Sequence, residues 1–283
     1  MNDTPAQGRH QEDDMEEHIG SATLLGRGRT AELYVWKEDS VLKLFVPGFP
    51  SPLIDQEVEG TKAGNVAGIP SPQLKNDIVV DGRRGLVLER LAGRNMLSLL
   101  GREPMRVAHY AGIFAELQAR MHDCHAPGLT SRREDLARRI ARAGVVARVK
   151  GDALATLELL PDGDSLCHCD FHPDNVLMTP QGPFVIDWSS AARGTPASDA
   201  AQTALLLRIA DAPPRSFRIA WVERETKNRF YKVWLKRYRE LQPDAADAMW
   251  SWLLPVAVAR LADDIPEERP RLTALIEELQ QKR

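Results

Sequence analysis

LCHCDFHPDNVLMTPQGPFVIDWSSAARG, residues Leu166–Gly194, carries two carboxylates and an amide at a spacing that gives the rest of the chain its meaning. Asp170 is followed five residues later by Asn175. A turn at Thr179-Pro180-Gln181-Gly182 then leads into a short apolar strand, Phe184 to Ile186, which delivers Asp187. One hairpin-like unit thus holds an amide carbonyl and two carboxylates. Such a set can bind a hard cation through oxygen and keep one carboxylate for a nucleophile. Cys167 and Cys169 flank His168 on what reads as a strand end, with the two thiols expected on opposite faces. A zinc site made of these thiols with His168 and His172 is disfavoured, because no second C-x-x-C or H-x-H cluster completes it. With Cys124 the thiols number three, which fits reduced cytosolic cysteines better than a disulfide framework.

Upstream, residues 1 to about 18 are polar and acid-rich, the composition of a mobile tail. Order is expected from near Ala22, as strand, glycine turn and strand through Gly26-Arg27-Gly28 and Ala31 to Trp36. A third strand, Val41-Leu42-Lys43-Leu44-Phe45, follows. Lys43 interrupts its apolar pattern, either as a solvent-facing edge lysine or as a lysine for nucleotide phosphates. Gly26 and Gly28 suit a flap over those phosphates, although Ala31 stands where a third glycine of G-x-G-x-x-G would fall. The next segment, Leu53 to about Val66, has helical spacing and carries Glu57 and Glu59. Glu57 is the first choice, and Glu59 the alternative, for a carboxylate pairing with Lys43; both could equally be solvated helix charges. A hairpin of Ile78 to Val80 and Gly85 to Leu91 ends at Glu89-Arg90-Leu91, the expected hinge, where Glu89 and Leu91 would offer backbone to a base edge.

Downstream of Gly93 the pattern is mainly helical. Val107, Tyr110, Ala111, Phe114, Leu117 and Met121 repeat at helical spacing, and His122 at their end reads as a cap or surface group. The arginines of 131–149, interleaved with acids and aliphatics, read as a solvated face and not as a nucleic-acid site. Leu154 to Leu160 reads as a short helix. Ser198 or Asp199 is expected to cap an apolar helix over 200–210. Two further helices present Phe217, Trp221, Phe230, Tyr231, Trp234, Tyr238 and Leu241, then Met249, Trp252, Leu253, Val256 and Leu261, as core faces. Asp263, Asp264, Glu267 and Glu268 form an acidic cluster that is solvated by default but could hold a cationic substrate if it turned toward a cleft.

With 283 residues, 43% hydrophobic and 27% charged, the chain can form one large domain or two lobes. Its net charge of −3 gives no bulk electrostatic case for nucleic acid or an anionic membrane. No apolar run approaches the roughly 18 residues of a membrane span, and the N-terminus lacks the apolar core of a secretory signal, so a cytoplasmic location is expected.

His168-Cys169-Asp170-Phe171-His172-Pro173-Asp174-Asn175, Val185-Ile186-Asp187-Trp188, Gly194-Thr195-Pro196 and Asp199-Ala200-Ala201 together resemble the aminoglycoside phosphotransferase and choline kinase-like family of small-molecule kinases. The resemblance runs from about Ala22 onward. It implies an α+β, protein kinase-like two-lobed fold: a small antiparallel-sheet N-lobe at 19–91 and a larger, mainly helical C-lobe at 92–283, with ATP or GTP between them. It further implies that Asp170 is the catalytic base or orienter of a substrate hydroxyl and that His168 holds the loop's shape. Asn175 and Asp187 would be the Mg²⁺ ligands. Lys43 would bind the α/β-phosphates with Glu57 as partner, and Asp199 would brace the loop. Many relatives have glycine at the positions of Cys169 and Asp174. Cys169 therefore adds a side chain beside the base, and Asp174 is expected to adopt whatever backbone angle the glycine allowed. A protein kinase is disfavoured by the missing arginine before Asp170. The remaining alternative is a kinase-like regulatory module that holds nucleotide without turnover, against which the joint presence of Lys43, Asp170, Asn175 and Asp187 counts.

Overall fold

The computed structural model describes residues 18–20, 22–209 and 217–281, with the side chains of the last segment described from Arg224 onward. Most of the N-terminal tail, together with Ala210 and the side chains of Phe217 and Trp221, lies outside the described residues. The chain divides into two compact units, Met1–Phe49 with Leu74–Glu89, and Pro50–Gln73 with Arg90–Arg283.

The first unit is a five-stranded antiparallel sheet built from β1 (Leu24–Arg27), β2 (Ala31–Trp36), β3 (Ser40–Phe45), β4 (Leu74–Val80) and β5 (Arg83–Glu89), in the order β1-β2-β3-β5-β4. Period-two alternation in β3 turns Leu42 and Leu44 inward, where they join Trp36, Val80 and Val87. The β4–β5 hairpin closes on Asp81-Gly82, both at positive φ (49° and 69°). That is the geometry a two-residue turn needs to match the strand twist, and Asp-Gly supplies it cheaply. The hairpin is accordingly longer and more tightly closed than its sequence pattern implied. Lys43 faces Leu33 on β2 and Leu86 on β5, so it sits on an inner strand and not at the sheet edge.

The second unit opens with α1 (Ser51–Val66), followed by β6 (Arg94–Asn95), α2 (Met96–Arg102), α3 (Val107–His122), α4 (Arg132–Arg142) and α5 (Ala147–Leu159). Next come β7 (Ser165–Cys167), β8 (Val176–Thr179), β9 (Gly182–Val185), β10 (Ala192–Gly194), α6 (Pro196–Ile209), α7 (Phe217–Leu241), α8 (Pro243–Arg260) and α9 (Arg269–Gln281). Helix α5 is longer than the segment expected over 154–160. Helix α6 starts before Ser198, because Thr195 receives the Ser198 N–H and hydroxyl at 3.2 and 2.7 Å. Asp199 is thereby freed from capping and points into the core.

Helix α6 is buried on nearly all sides, and its alanines at 200, 201 and 204 let α8 pack closely against it. Phe230, Trp234 and Tyr238 of α7 and Met249, Trp252, Leu253 and Val256 of α8 are buried in one core with Phe114 and Phe171, as their spacing predicts, whereas Leu241, the last residue of α7, is exposed. The arginines of α4 are not all solvated. Arg132 is buried and donates to Gln202 Oε1 at 2.8 Å, while Arg139 reaches Asp263 Oδ2 at 2.6 Å.

Helix α1 lies on the short turn Trp188–Ser190 so closely that a Cβ on Gly60 would come within 2.6 Å of the Trp188 carbonyl oxygen and 2.7 Å of the Ala191 Cβ. Gly60→Ala therefore adds a methyl group against backbone that cannot swing aside. Alanine's helix propensity favours it by about 1 kcal/mol, but overpacking costs about 1–3 kcal/mol. Chemical denaturation should show a net loss of stability; a gain would mean that α1 slides freely on this turn.

Candidate active site

The loop between β7 and β8 carries the site. His168 is fully buried, and its ring joins the two halves of the loop: Nε2 lies 3.0 Å from the Ile186 carbonyl oxygen, and Nδ1 accepts the Asp170 N–H at 3.3 Å. One neutral tautomer satisfies both bonds, with the proton on Nε2. Burial pushes the His168 pKa down and keeps the ring neutral. The short 3-10 turn Pro173–Asn175 then presents Asn175, whose Nδ2 donates to the Asp170 carbonyl at 3.0 Å and whose backbone oxygen accepts the Ile186 N–H at 3.0 Å. The amide is thus oriented with its donor spent on the protein and its carbonyl oxygen left to accept or coordinate. Asp187 follows at φ 62°, ψ 69°, exposed at the entry to the Trp188–Ser190 turn.

Two non-glycine residues of this site, Cys169 (φ 63°) and Asp187 (φ 62°), hold left-handed backbone. Such angles cost about 1–3 kcal/mol and persist only where the surroundings over-determine them. At Cys169 the surroundings are visible: its N–H donates to Asp199 Oδ1 at 2.6 Å. The positive angle falls on Cys169 and not on Asp174, contrary to expectation. Asp174 sits in the 3-10 turn and accepts from Asn95 Nδ2, while Asn95 Oδ1 receives the Ser98 N–H and caps α2. Asp174 therefore ties the loop to a helix end. Cys167 and Cys169 do not point to opposite faces: β7 ends at Cys167, the backbone turns left-handed at Cys169, and both thiols lie in one buried cluster with Ala192. Cys167 Sγ is within hydrogen-bonding reach of the Ser165 and Thr195 carbonyl oxygens, and the adjacent Cys169 thiol and burial push its pKa up, which favours the thiol.

Asp199 anchors a buried polar network that the sequence reading only partly anticipated. Its Oδ2 accepts from His122 Nε2 at 2.9 Å and Gln118 Nε2 at 3.4 Å; His122 Nδ1 meets the Tyr238 hydroxyl at 2.7 Å. Gln118 also donates to Thr203 and accepts from Trp234 Nε1 at 2.9 Å. His122 is thus no surface cap but part of the core. Its helical register, eight residues after Phe114 and eleven after Ala111, was the available signal. Burial alone would raise the Asp199 pKa, but the His122 bond and the Cys169 N–H outweigh it and keep the carboxylate ionised.

Asp170 is partly buried, with His172 Nε2 3.5 Å from Oδ2 and Arg260 Nη1 3.7 Å from Oδ1. Burial pulls its pKa upward, but His172 and then Arg260 overcome that and lower it to about 2. His172 moves the other way: desolvation opposes its charge, and Asp170 restores it, so its pKa is raised. The pair is held as carboxylate and imidazolium-favouring ring over a broad pH range. The acidic cluster near the C-terminus is solvated only in part: Asp264 and Glu267 are exposed, whereas Glu268 grips Arg260 through two bonds of 2.7 and 2.8 Å and Asp263 serves both Arg260 and Arg139. Among the described residues no group of three or more His, Cys, Asp or Glu is placed to hold a metal ion.

In the first unit Lys43 is half-buried on β3, its Nζ 5.8 Å from the centre of the Phe45 ring. Gly26 lies within β1, and the Gly28 N–H closes the β1–β2 loop on the Ala31 carbonyl at 2.8 Å. Neither glycine has a positive φ. Glu89 ends β5, and Leu91 lies in the connection that follows. Glu57 is 3% exposed on α1, whereas Glu59 is exposed and pairs with Lys62 at 3.0 Å. Only Glu57 has the burial expected of a carboxylate held for one specific cation.

Residues 21–234 match the model of the phosphotransferase enzyme family. The chain belongs to this family. Its α+β architecture is protein kinase-like. No curated protein matches the sequence. Among solved structures, amicoumacin kinase hAmiN, in complex with AMP-PNP, Ca²⁺ and Ami, superposes with a TM-score of 0.61 at 16% identity, covering 94% of this chain and 90% of that one. An aminoglycoside-3'-phosphotransferase of type VIII gives 0.55 at 20% identity over 88% and 91%. A choline/ethanolamine kinase family protein from Mesorhizobium loti gives 0.53 at 16% identity over 92% and 89%. At these identities the likeness is one of fold. No helix of the described residues is long and apolar enough to cross a membrane.

Proposed function

We propose that this protein is a small-molecule kinase that moves the γ-phosphoryl group of ATP or GTP to a hydroxyl of a small molecule, with Mg²⁺ as cofactor. The observation that carries the reading is the joined loop: His168 and Asn175 bind the Asp170 and Ile186 backbones together, so the base and the two oxygen donors move as one body. Phosphoryl transfer depends on positioning and charge neutralisation more than on covalent chemistry, and a rigid loop supplies the first.

Asp170 accepts the acceptor's hydroxyl proton. A low pKa does not disqualify it, because orientation of the hydroxyl with late proton transfer needs an ionised carboxylate above all. The Asn175 carbonyl oxygen and the Asp187 carboxylate fit Mg²⁺: both are hard donors, and two protein ligands suit an ion that otherwise keeps waters and phosphate oxygens. When bound, the ion would neutralise charge on the phosphates. Lys43 takes the α/β-phosphates with Glu57 as its acidic partner. Gly26 and Gly28 lie over the phosphate chain, and the backbone at Glu89 and Leu91 meets the base.

The test is a coupled assay of purified protein with ATP and with GTP against aminoglycosides, amino alcohols, sugars and hydroxy acids, with Asp170→Asn as control. Turnover that survives Asp170→Asn would sink the mechanism. Nucleotide binding without turnover of any acceptor would favour a regulatory role. Asp187→Asn should raise the Mg²⁺ concentration for half-maximal rate about tenfold or more, visible also as weaker Mg²⁺-dependent binding of a fluorescent nucleotide. An unchanged Mg²⁺ dependence would remove Asp187 from the ligand set.

A further inference from the structure

Arg260 stands beside the carboxylate that the proposed mechanism uses, and nothing so far accounts for it. Its side chain, 13% exposed, comes from the C-terminal end of α8. The Nε and Nη2 edge is taken by Glu268 at 2.7 and 2.8 Å. Nη1 donates to Asp263 Oδ2 at 3.1 Å and lies 3.7 Å from Asp170 Oδ1. Asp263 is itself held from the other side by Arg139 at 2.6 Å. A guanidinium fixed on two edges has little freedom left, so the separation from Asp170 is built in.

That separation is too long for a direct hydrogen bond and suits a bridging oxygen, which could sit about 2.8 Å from both groups. A hydroxyl there would donate its proton toward Asp170 Oδ1 and accept from Arg260 Nη1. A cation in that position also sets what can flank the hydroxyl. An ammonium on the neighbouring carbon would face Arg260 at close range, where like charges repel strongly. The carboxylates that might have attracted it, Asp263 and Glu268, are already spent on arginines.

We propose that Arg260 and Asp170 form a donor–acceptor clamp for the acceptor hydroxyl, and that Arg260 selects acceptors whose reacting hydroxyl is flanked by neutral or anionic groups and not by an ammonium. This rests on Asp170 receiving that hydroxyl.

The experiment compares wild type, Arg260→Gln and Arg260→Lys on matched probes: kanamycin A against its per-N-acetylated form, and serinol against glycerate. Wild type should favour the uncharged or carboxylate-bearing member of each pair. Arg260→Gln should lower kcat/KM for that member about 10- to 100-fold, the worth of a hydrogen bond to a charged group. It should also narrow the preference while leaving nucleotide affinity unchanged. Arg260→Lys keeps the charge without the fork, should fall between, and carries the comparison if Arg260→Gln folds poorly. A wild-type preference for the ammonium-bearing members overturns the proposal. So does an equal loss for both members of each pair, which would mark a purely structural arginine. If wild type turns over none of the four, the clamp is judged by calorimetric binding of the same probes to protein loaded with AMP-PNP. Tighter binding of the uncharged or anionic members that Arg260→Gln abolishes supports it; indistinguishable binding overturns it.

Discussion

Asp170→Asn should lower kcat by about 10²- to 10⁴-fold, the usual contribution of a positioned general base, while nucleotide affinity changes little. The amide keeps the shape of the carboxylate but cannot accept a proton. The loop itself is held through the backbone of residue 170, by His168 and Asn175, and those bonds survive the substitution. A rapid-quench or coupled assay beside nucleotide titration separates the two effects. The same residue makes a pH prediction. Its folded pKa of about 2 lies below that of an unfolded aspartate. The ionised form therefore contributes stability that is complete above about pH 4 and is lost as pH falls toward 2. Denaturation midpoints of Asp170→Asn should vary less across that window than those of wild type. For the same reason no acid limb of kcat/KM above about pH 4 should be traceable to Asp170.

Asp199→Ala should cost about 3 kcal/mol or more of stability, because each buried donor left unsatisfied costs about 1–3 kcal/mol. Three donors lose their acceptor at once: the Cys169 N–H, His122 Nε2 and Gln118 Nε2. All are buried, so water cannot easily replace the carboxylate. Activity should fall as well, because the Asp199 bond is what holds Cys169 in its left-handed backbone next to Asp170. Asp199→Asn retains volume but sets an NH₂ against one of the donors, and should recover only part of the loss. Urea denaturation measures the first effect. A stability change under about 1 kcal/mol for the alanine variant would show the network to be less coupled than its geometry implies.

That the candidate site residues gather on one unit was legible because they are close in sequence. Asp170, Asn175 and Asp187 lie on one loop and hairpin, where spacing and turn chemistry determine the geometry locally. The sheet was legible for the same kind of reason, since the alternation in β3 and the Asp81-Gly82 turn are short-range signals. The core faces of α7 and α8 followed from helical spacing alone.

What spacing could not reach was the pairing of distant polar groups. His122 and Arg132 looked like surface residues because residue type favours exposure; only the packing of α3, α4 and α6 shows that each is buried with a partner. The acidic C-terminal cluster read as solvated because the arginines that neutralise it, Arg139 and Arg260, arrive from other helices. The backbone strain was assigned to Asp174 from the glycine it replaces, whereas tertiary hydrogen bonding puts it at Cys169. The sequence by itself thus determined the elements, the loop and the chemistry it can perform, because these depend on neighbours a few residues apart. Which charges meet inside the core, and that Arg260 faces Asp170, was decided by the tertiary structure, because desolvation makes every buried polar group find a partner wherever along the chain that partner lies.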